Sequence, residues 1–184
     1  MLKKVLHGKR LAEQRINEIQ MGLNKIEYAL QDLAANNAYS DRQGIYQRVI
    51  RNRRFRISEY TGGPENIKNL EKEFADLYSQ AQKENLAPIF PAGFLLQYSN
   101  GNIRCFLFCE ITNYRSDNKH ILDIPQGEYL CLQADLQTIH LIDTVEQHFS
   151  ALNEKTVIVI NLMLDKYNIN SRKSELQVAN TILI

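Results

Sequence analysis

No stretch of this 184-residue chain is apolar for long enough to cross a bilayer. Its longest apolar runs, such as TVIVI at 156 to 160, are strand-sized, against the roughly 20 residues a spanning helix needs. Nor does one sign of charge dominate: Lys+Arg 22 against Asp+Glu 21 leaves +1, too balanced to drive strong non-specific attachment to DNA or an acidic membrane. Cysteine is scarce and odd in number, three in all. Cys105 and Cys109 are spaced CFLFC rather than CxxC, which argues against a disulfide framework or a zinc site. On a strand the two share a face, where free thiols behave as small apolar groups. His7, His120, His140 and His148 form no HxxxH or HxxE arrangement, so neither a metal nor a cofactor is expected. The opening MLKKVLHGKR lacks the apolar centre of a signal peptide, and cytoplasmic residence is the expectation. With 44% hydrophobic and 23% charged residues, the chain reads as one domain with an appendage, or as two small domains.

What is present begins with a seam. Leu2, Val5, Lys9, Ala12, Ile16, Ile19, Leu23, Ile26, Leu30 and Leu33 alternate in steps of three and four, as the a and d positions of a coiled coil do. Only Lys9 is polar. A helix of about 33 residues spans roughly 50 Å, longer than a small core can cover. No second helix of that length follows, so the expected partner is the same helix of another subunit, in either orientation, with Ile16, Ile19, Leu23, Ile26, Leu30 and Leu33 at the dimer contact. The alternative is a helix bent back onto its own domain at Gly8 or Gly22. The polar stretch NNAYSDRQG then breaks the pattern, which divides the chain into a helix at 1–36, a hinge at 37–44 and a domain at 45–184.

That domain repeats itself. RRFRISEYT at 53 to 61 alternates as a strand, and a helix is expected from about Glu65 to Glu84, ended by Asn85 and Pro88. Strands at 93–99 and 103–111 follow, joined by the hairpin pair Asn100-Gly101. The second half runs the same way, with a strand at 127–134, a helix carrying Ile142, Val145, Phe149 and Leu152, and a hairpin from 157–165 and 175–184. Two such units align into one antiparallel sheet with both helices on one face, an α+β architecture.

The other face of that sheet is where function is expected. In IRCFLFCEI, Cys105, Leu107, Cys109 and Ile111 suit a position under a helix, which leaves Arg104, Phe106, Phe108 and Glu110 opposite. In VIVINLMLD, Ile158, Ile160, Leu162 and Leu164 are assigned under the helix, and Val159, Asn161, Met163 and Asp165 opposite. These mixed faces either line a cleft for a bulky apolar or cationic ligand or are covered by loops, by the long helix or by another subunit. The expected walls are Tyr98, Phe106, Phe108, Tyr129, Met163 and Tyr167, with Glu110 and Asn161 as their polar members. RVIRNRRFR at 48 to 56 packs five arginines into nine residues. It is either a stripe for phosphate or a solvated edge strand guarded by charge.

The order of seam helix, hinge and duplicated strand-helix-hairpin domain, with DIPQGEYLCLQADL at 123 to 136, resembles MerR-family transcription regulators that carry a GyrI-like effector-binding domain. The segment from Ile124 to Leu132 is similar to the family's Ile-Pro-x-Gly-x-Tyr strand entry. The resemblance implies a sensor of lipophilic compounds that acts on promoter DNA and RNA polymerase through a DNA-binding domain not in this chain. No membrane attachment is expected from the short apolar runs, and no catalytic residues are expected because no spacing signature of an acid-base pair is present. In multidrug-type members a glutamate on the first strand of the second hairpin pairs with cationic drugs. The matching run here is Asn161-Leu162-Met163, so that role does not carry over, and neutral or weakly charged apolar ligands are expected. Glu110 and Asp165 remain possible substitutes. The alternatives are a stand-alone small-molecule binder and a hydrolase using Glu110 with Tyr129.

Overall fold

The structure is a computed structural model and describes residues 2–39, 42–62, 70–112, 119–135, 140–151, 155–161 and 173–180. It divides into two compact units, Met1–Asp41 and Arg42–Ile184.

The first unit is one helix, α1 (Leu2–Tyr39). It passes through Gly8 and Gly22 without interruption and continues three residues past the expected end at Asn36. Its polar surface carries i,i+4 contacts, Lys9 with Glu13 at 3.6 Å and Gln20 with Asn24 at 3.0 Å, which reinforce an isolated helix. The seam side chains Ile16, Ile19, Leu23, Ile26 and Leu30 are all more than half exposed. The side chain of Leu33 lies outside the described residues.

The second unit holds β1 (Ile45–Ile50), β2 (Arg53–Glu59), α2 (Leu70–Lys83), β3 (Pro88–Ser99), β4 (Asn102–Ile111), β5 (Ile121–Ile124), β6 (Gly127–Asp135), α3 (Leu141–Phe149), β7 (Lys155–Asn161) and β8 (Lys173–Asn180). The strands form one antiparallel sheet in the order β1-β6-β8-β7-β3-β4-β2-β5. This order is a palindrome. Exchanging β1 with β5, β2 with β6, β3 with β7 and β4 with β8 reproduces it, which places a pseudo-twofold axis between β7 and β3. The duplication is therefore larger than the strand-helix-hairpin unit expected from the sequence. Each repeat begins with one more strand, and that strand pairs with the other repeat: β1 with β6, β5 with β2.

Local chemistry sets the element ends. Asn100 and Gly101 both take positive φ, 50° and 77°, as the two-residue hairpin joining β3 to β4 requires. Asn85, at φ 57°, closes α2 with the bonds Leu86 N to Ala81 O and Asn85 N to Gln82 O, which satisfy carbonyls at the helix end. Arg56 of β2 adds a cation there, bonding Glu84 at 2.8 Å and Gln80 at 3.1 Å.

Both helices pack on one face of the sheet. Leu77 and Ala81 of α2, with Leu141, Val145 and Phe149 of α3, share a core with Phe94, Leu96, Leu107, Cys109, Leu132, Val157, Val159, Leu176 and Val178. The β4 alternation falls as expected. The β7 alternation is the reverse of the expectation: Val157 and Val159 lie under the helices, and Ile158 and Ile160 belong to the opposite face. The reason is that VIVI is apolar on both parities and buried on both sides, so hydrophobic alternation carries no face information there.

Candidate functional site

The face turned away from the helices is concave. Arg53 on β2 and Gln177 on β8 are four strand steps apart in the sheet, roughly 19 Å if it were flat, yet Arg53 Nη2 donates to Gln177 Oε1. Only a sheet curled toward that face brings them together. Gly93 helps the curl at the central β3–β7 pair: a Cβ there would stand 1.9 Å from the Val159 carbonyl oxygen, so only glycine lets the two backbones meet this closely.

One part of this inner face is polar. Glu175, fully buried, accepts from Arg48 Nη1 at 2.8 and 2.9 Å, from the Tyr46 hydroxyl at 2.6 Å and from Gln177 Nε2 at 2.5 Å. These four contacts match the acceptor capacity of a carboxylate, which is how an ionised group is tolerated without water. Burial, followed by the bond to Glu175, pushes the Tyr46 phenol far above its ordinary range. Gln177 links the cluster to Arg53. Tyr129, opposite Arg48 in the β1–β6 register, donates to the Pro125 carbonyl at 2.7 Å, and burial raises its phenol too.

The other part is aromatic. Phe55 and Phe108 stack at 4.1 Å between centroids with 13° between planes, and the Arg53 guanidinium carbon lies 5.2 Å from the Phe55 centroid. Glu110, almost fully buried, meets Arg51 Nη1 at 2.6 Å. At the rim, Arg104 covers the Phe106 ring at 4.9 Å and reaches the exposed Glu59 at 3.4 Å.

The structure thus brings Phe106, Phe108, Glu110 and Tyr129 together on one concave face. It does not place Tyr98 there. Tyr98 belongs to the core under the helices, with Lys155 Nζ 4.6 Å from its ring centroid, because β3 alternation puts it on the same side as Phe94 and Leu96. The side chain of Asn161 lies outside the described residues, as do Met163, Asp165 and Tyr167.

Besides Glu110, the inner face buries a second acid, Glu175 on β8, and sequence reasoning gave no inner-face role to it or to Tyr46, Arg48, Arg53 and Gln177. A signal existed: in KSELQVAN the polar Glu175 and Gln177 alternate with the apolar Leu176 and Val178. The basic run is corrected as well. Arg48, Arg53 and Arg56 are buried, and of the others Arg54 pairs with Asp123 at 2.8 Å on the surface. Arg48, Arg51 and Arg53 belong to the inner face, so these three form neither a phosphate stripe nor a solvated guard, although β1 itself is an edge strand.

Cys105, Cys109 and Cys131 are free and buried, and burial pushes each thiol up to about 12. Among the described residues no group of three or more metal-ligating side chains occurs. No helix among them is long and apolar enough to cross a membrane.

No family model matches the chain, and no curated protein matches it in sequence. Solved structures similar to it include the C-terminal domain of EcmrR (TM-score 0.49, 12% identity, covering 74% of this chain and 98% of that one). EcmrR in a cryo-EM complex with DNA matches with TM-score 0.48 and 13% identity, over 92% of this chain and 69% of that one. A hydrolase of Listeria innocua matches with TM-score 0.44 and 10% identity, over 78% of this chain and 94% of that one.

Proposed function

We propose that this chain is the sensing and dimerising part of a transcription regulator. In this reading the concave face of the duplicated sheet takes a small molecule, α1 pairs two copies through its apolar seam, and the response passes to promoter DNA through a domain not in this chain. The observation that carries the reading is the inner face itself. Two glutamates and three arginines are gathered beside stacked phenyl rings, where aliphatic side chains would fill a purely structural sheet without the desolvation cost of buried charge; a recognition role accounts for their being there. A ligand wedged between the two repeats changes their tilt about the pseudo-twofold axis, and a stiff helix carries such a change outward.

For Glu175 itself, a binding role is favoured over that of a hydrolytic base. With Arg48, Tyr46 and Gln177 already making four contacts to its oxygens, it has no lone pair left to activate a water, as a hydrolytic general base must.

The test uses the full chain. Sedimentation equilibrium is expected to give a dimer, and a panel of lipophilic compounds is expected to contain members that raise the unfolding temperature in a concentration-dependent way. Phe108→Ala, which removes one ring of the stack, is expected to weaken that response. A monomeric protein whose unfolding temperature no compound alters would sink the proposal.

A further inference from the structure

We infer that β1 is a docking edge for a second copy of this chain: two β1 strands pair antiparallel about Gln47, and the sheet of one copy runs on into the sheet of the next. The contact needs neither α1 nor a bound ligand, and so goes beyond the sensor reading above.

The two ends of the sheet offer an internal comparison. The pseudo-twofold exchanges β1 with β5, and among the described residues these are the terminal strands. β5 is four residues long and carries a charge pair on its surface, Asp123 with Arg54 of β2 at 2.8 Å. Short length and surface charge keep an edge from adding further strands. β1 has neither protection. It is six residues long, contains no proline, and its one charged residue, Arg48, is buried against Glu175. What β1 shows to solvent is Ile45, Gln47 and Val49, on the face opposite Tyr46 and Arg48. Ile45 is 45% and Val49 64% exposed, so neither helix of the domain covers them. An uncharged, β-branched edge of this length is a template for another strand.

The strand's own sequence selects its partner. Residues directly opposite in an antiparallel pair point to the same face, so the exposed residues of one β1 oppose the exposed residues of the other. Centring the pair on Gln47 sets Ile45 of each copy against Val49 of the other, and Gln47 against Gln47. Each exposed apolar side chain is then covered by an apolar one, the two amides are within reach of each other, and no like charges meet. Centring on Arg48 would set guanidinium against guanidinium and Ile45 against Arg51. Centring on Tyr46 would leave Val49 opposite Gln43, outside the strand. Charge and apolar match together single out one register.

The area sets the strength. A six-residue strand spans roughly 20 Å. One added strand pair with three exposed side chains from each copy falls short of the roughly 800 Å² per partner of a standing complex. The pairing is therefore weak and concentration-dependent, and separable from a seam of two long helices.

The experiment reads the register by cross-linking the full chain at high protein concentration. Cys105, Cys109 and Cys131 are buried, so an introduced surface thiol is the one that reacts. Under mild oxidation Gln47→Cys is expected to form a disulfide-linked dimer about tenfold faster than Ile45→Cys or Val49→Cys alone. Opposite Cα atoms of an antiparallel pair stand about 4.5–5.5 Å apart, within disulfide reach, whereas positions 45 and 49 do not face themselves. An equal mixture of the Ile45→Cys and Val49→Cys proteins is expected to cross-link within a few-fold of the Gln47→Cys rate. A charge swap gives a second readout, sedimentation of the full chain carrying Ile19→Glu, which removes any contribution of the α1 seam. Ile45→Glu and Val49→Lys are each expected to weaken the remaining association about fivefold, and the two together to restore it, because each new lysine then faces a new glutamate. All of these β1 substitutions fall at exposed positions, and an unchanged unfolding temperature shows the fold intact. Equal rates in the three single-cysteine proteins, or a double charge variant no better associated than the single ones, overturns the inference. Loss of the Gln47→Cys cross-link in the Ile19→Glu protein overturns it too and leaves the helix dimer standing. A cross-link retained there, with sedimentation unchanged by Ile19→Glu, supports the β1 contact and counts against the helix dimer.

Discussion

Arg48 on β1 and Glu175 on β8 are 127 residues apart in sequence, yet one guanidinium nitrogen of Arg48 touches both carboxylate oxygens of Glu175, at 2.8 and 2.9 Å. Both residues are buried, and the pair bridges the first strand of one repeat to the last strand of the other. Removing one partner strands the other's charge inside the sheet. Arg48→Met is therefore expected to cost about 3–5 kcal/mol, whereas the double change Arg48→Met with Glu175→Leu recovers much of the loss. Urea unfolding of the wild type, the two single variants and the double variant measures this. A double variant no more stable than the Arg48→Met protein would contradict it.

The thiols make a second prediction, with a defined pH window. Each of the three has its pKa raised by burial from 9.0 to about 12, so each protonated thiol favours the folded state over the unfolded one. That contribution is fully present below about pH 9, where the thiols are protonated in both states, and is lost as pH rises from about 9 to 12. Stability is expected to fall across that window, and less steeply in the Cys105→Ala/Cys109→Ala/Cys131→Ala protein. A disulfide reagent at pH 8 is expected to find no reactive thiol in the native protein and three in urea.

Self-association through α1 is open to a charge test. Lys9 is the one polar residue of the seam, and it contacts Glu13 on its own helix. In the proposed dimer a buried lysine opposes pairing, so Lys9→Leu is expected to tighten the dimer and Ile19→Glu to dissociate it. Analytical ultracentrifugation over a concentration series reads both. An unchanged association constant in Ile19→Glu would place the dimer contact elsewhere.

Gly93 yields a steric prediction. With the Val159 oxygen 1.9 Å from where a Cβ would stand, Gly93→Ala must part β3 from β7 at the pseudo-twofold axis, and a loss of about 3 kcal/mol is expected. Gly101→Ala, at a position with positive φ but no neighbour within 4 Å, is expected to cost only the backbone strain, about 1 kcal/mol. Similar losses in the two variants would show that the close approach at Gly93 does not matter.

Much of the architecture was legible because it is written in local signals. The seam of α1, the Asn100-Gly101 hairpin, the Asn85 helix stop and the alternation of β4 each depend on residues within a few positions of one another. The site was less legible. Phe106, Phe108 and Glu110 could be placed because β4 is mixed in polarity, while β7, apolar on both parities, left its face undetermined and drew Asn161 into a role by comparison of runs. The arginines of 48–56 read as a surface stripe because local pattern does not distinguish a charge facing water from one facing a carboxylate on a distant strand.

Periodicity, turn chemistry and element order, all short-range properties, determined from sequence alone that a long amphipathic helix precedes a duplicated α+β domain. Only the tertiary structure decided that each repeat lends its first strand to the other, that the sheet curls, and that Arg48 meets Glu175 and Arg53 meets Gln177. Those contacts join residues more than 120 positions apart. Strand order and sheet curvature set them, and both emerge from packing the whole chain.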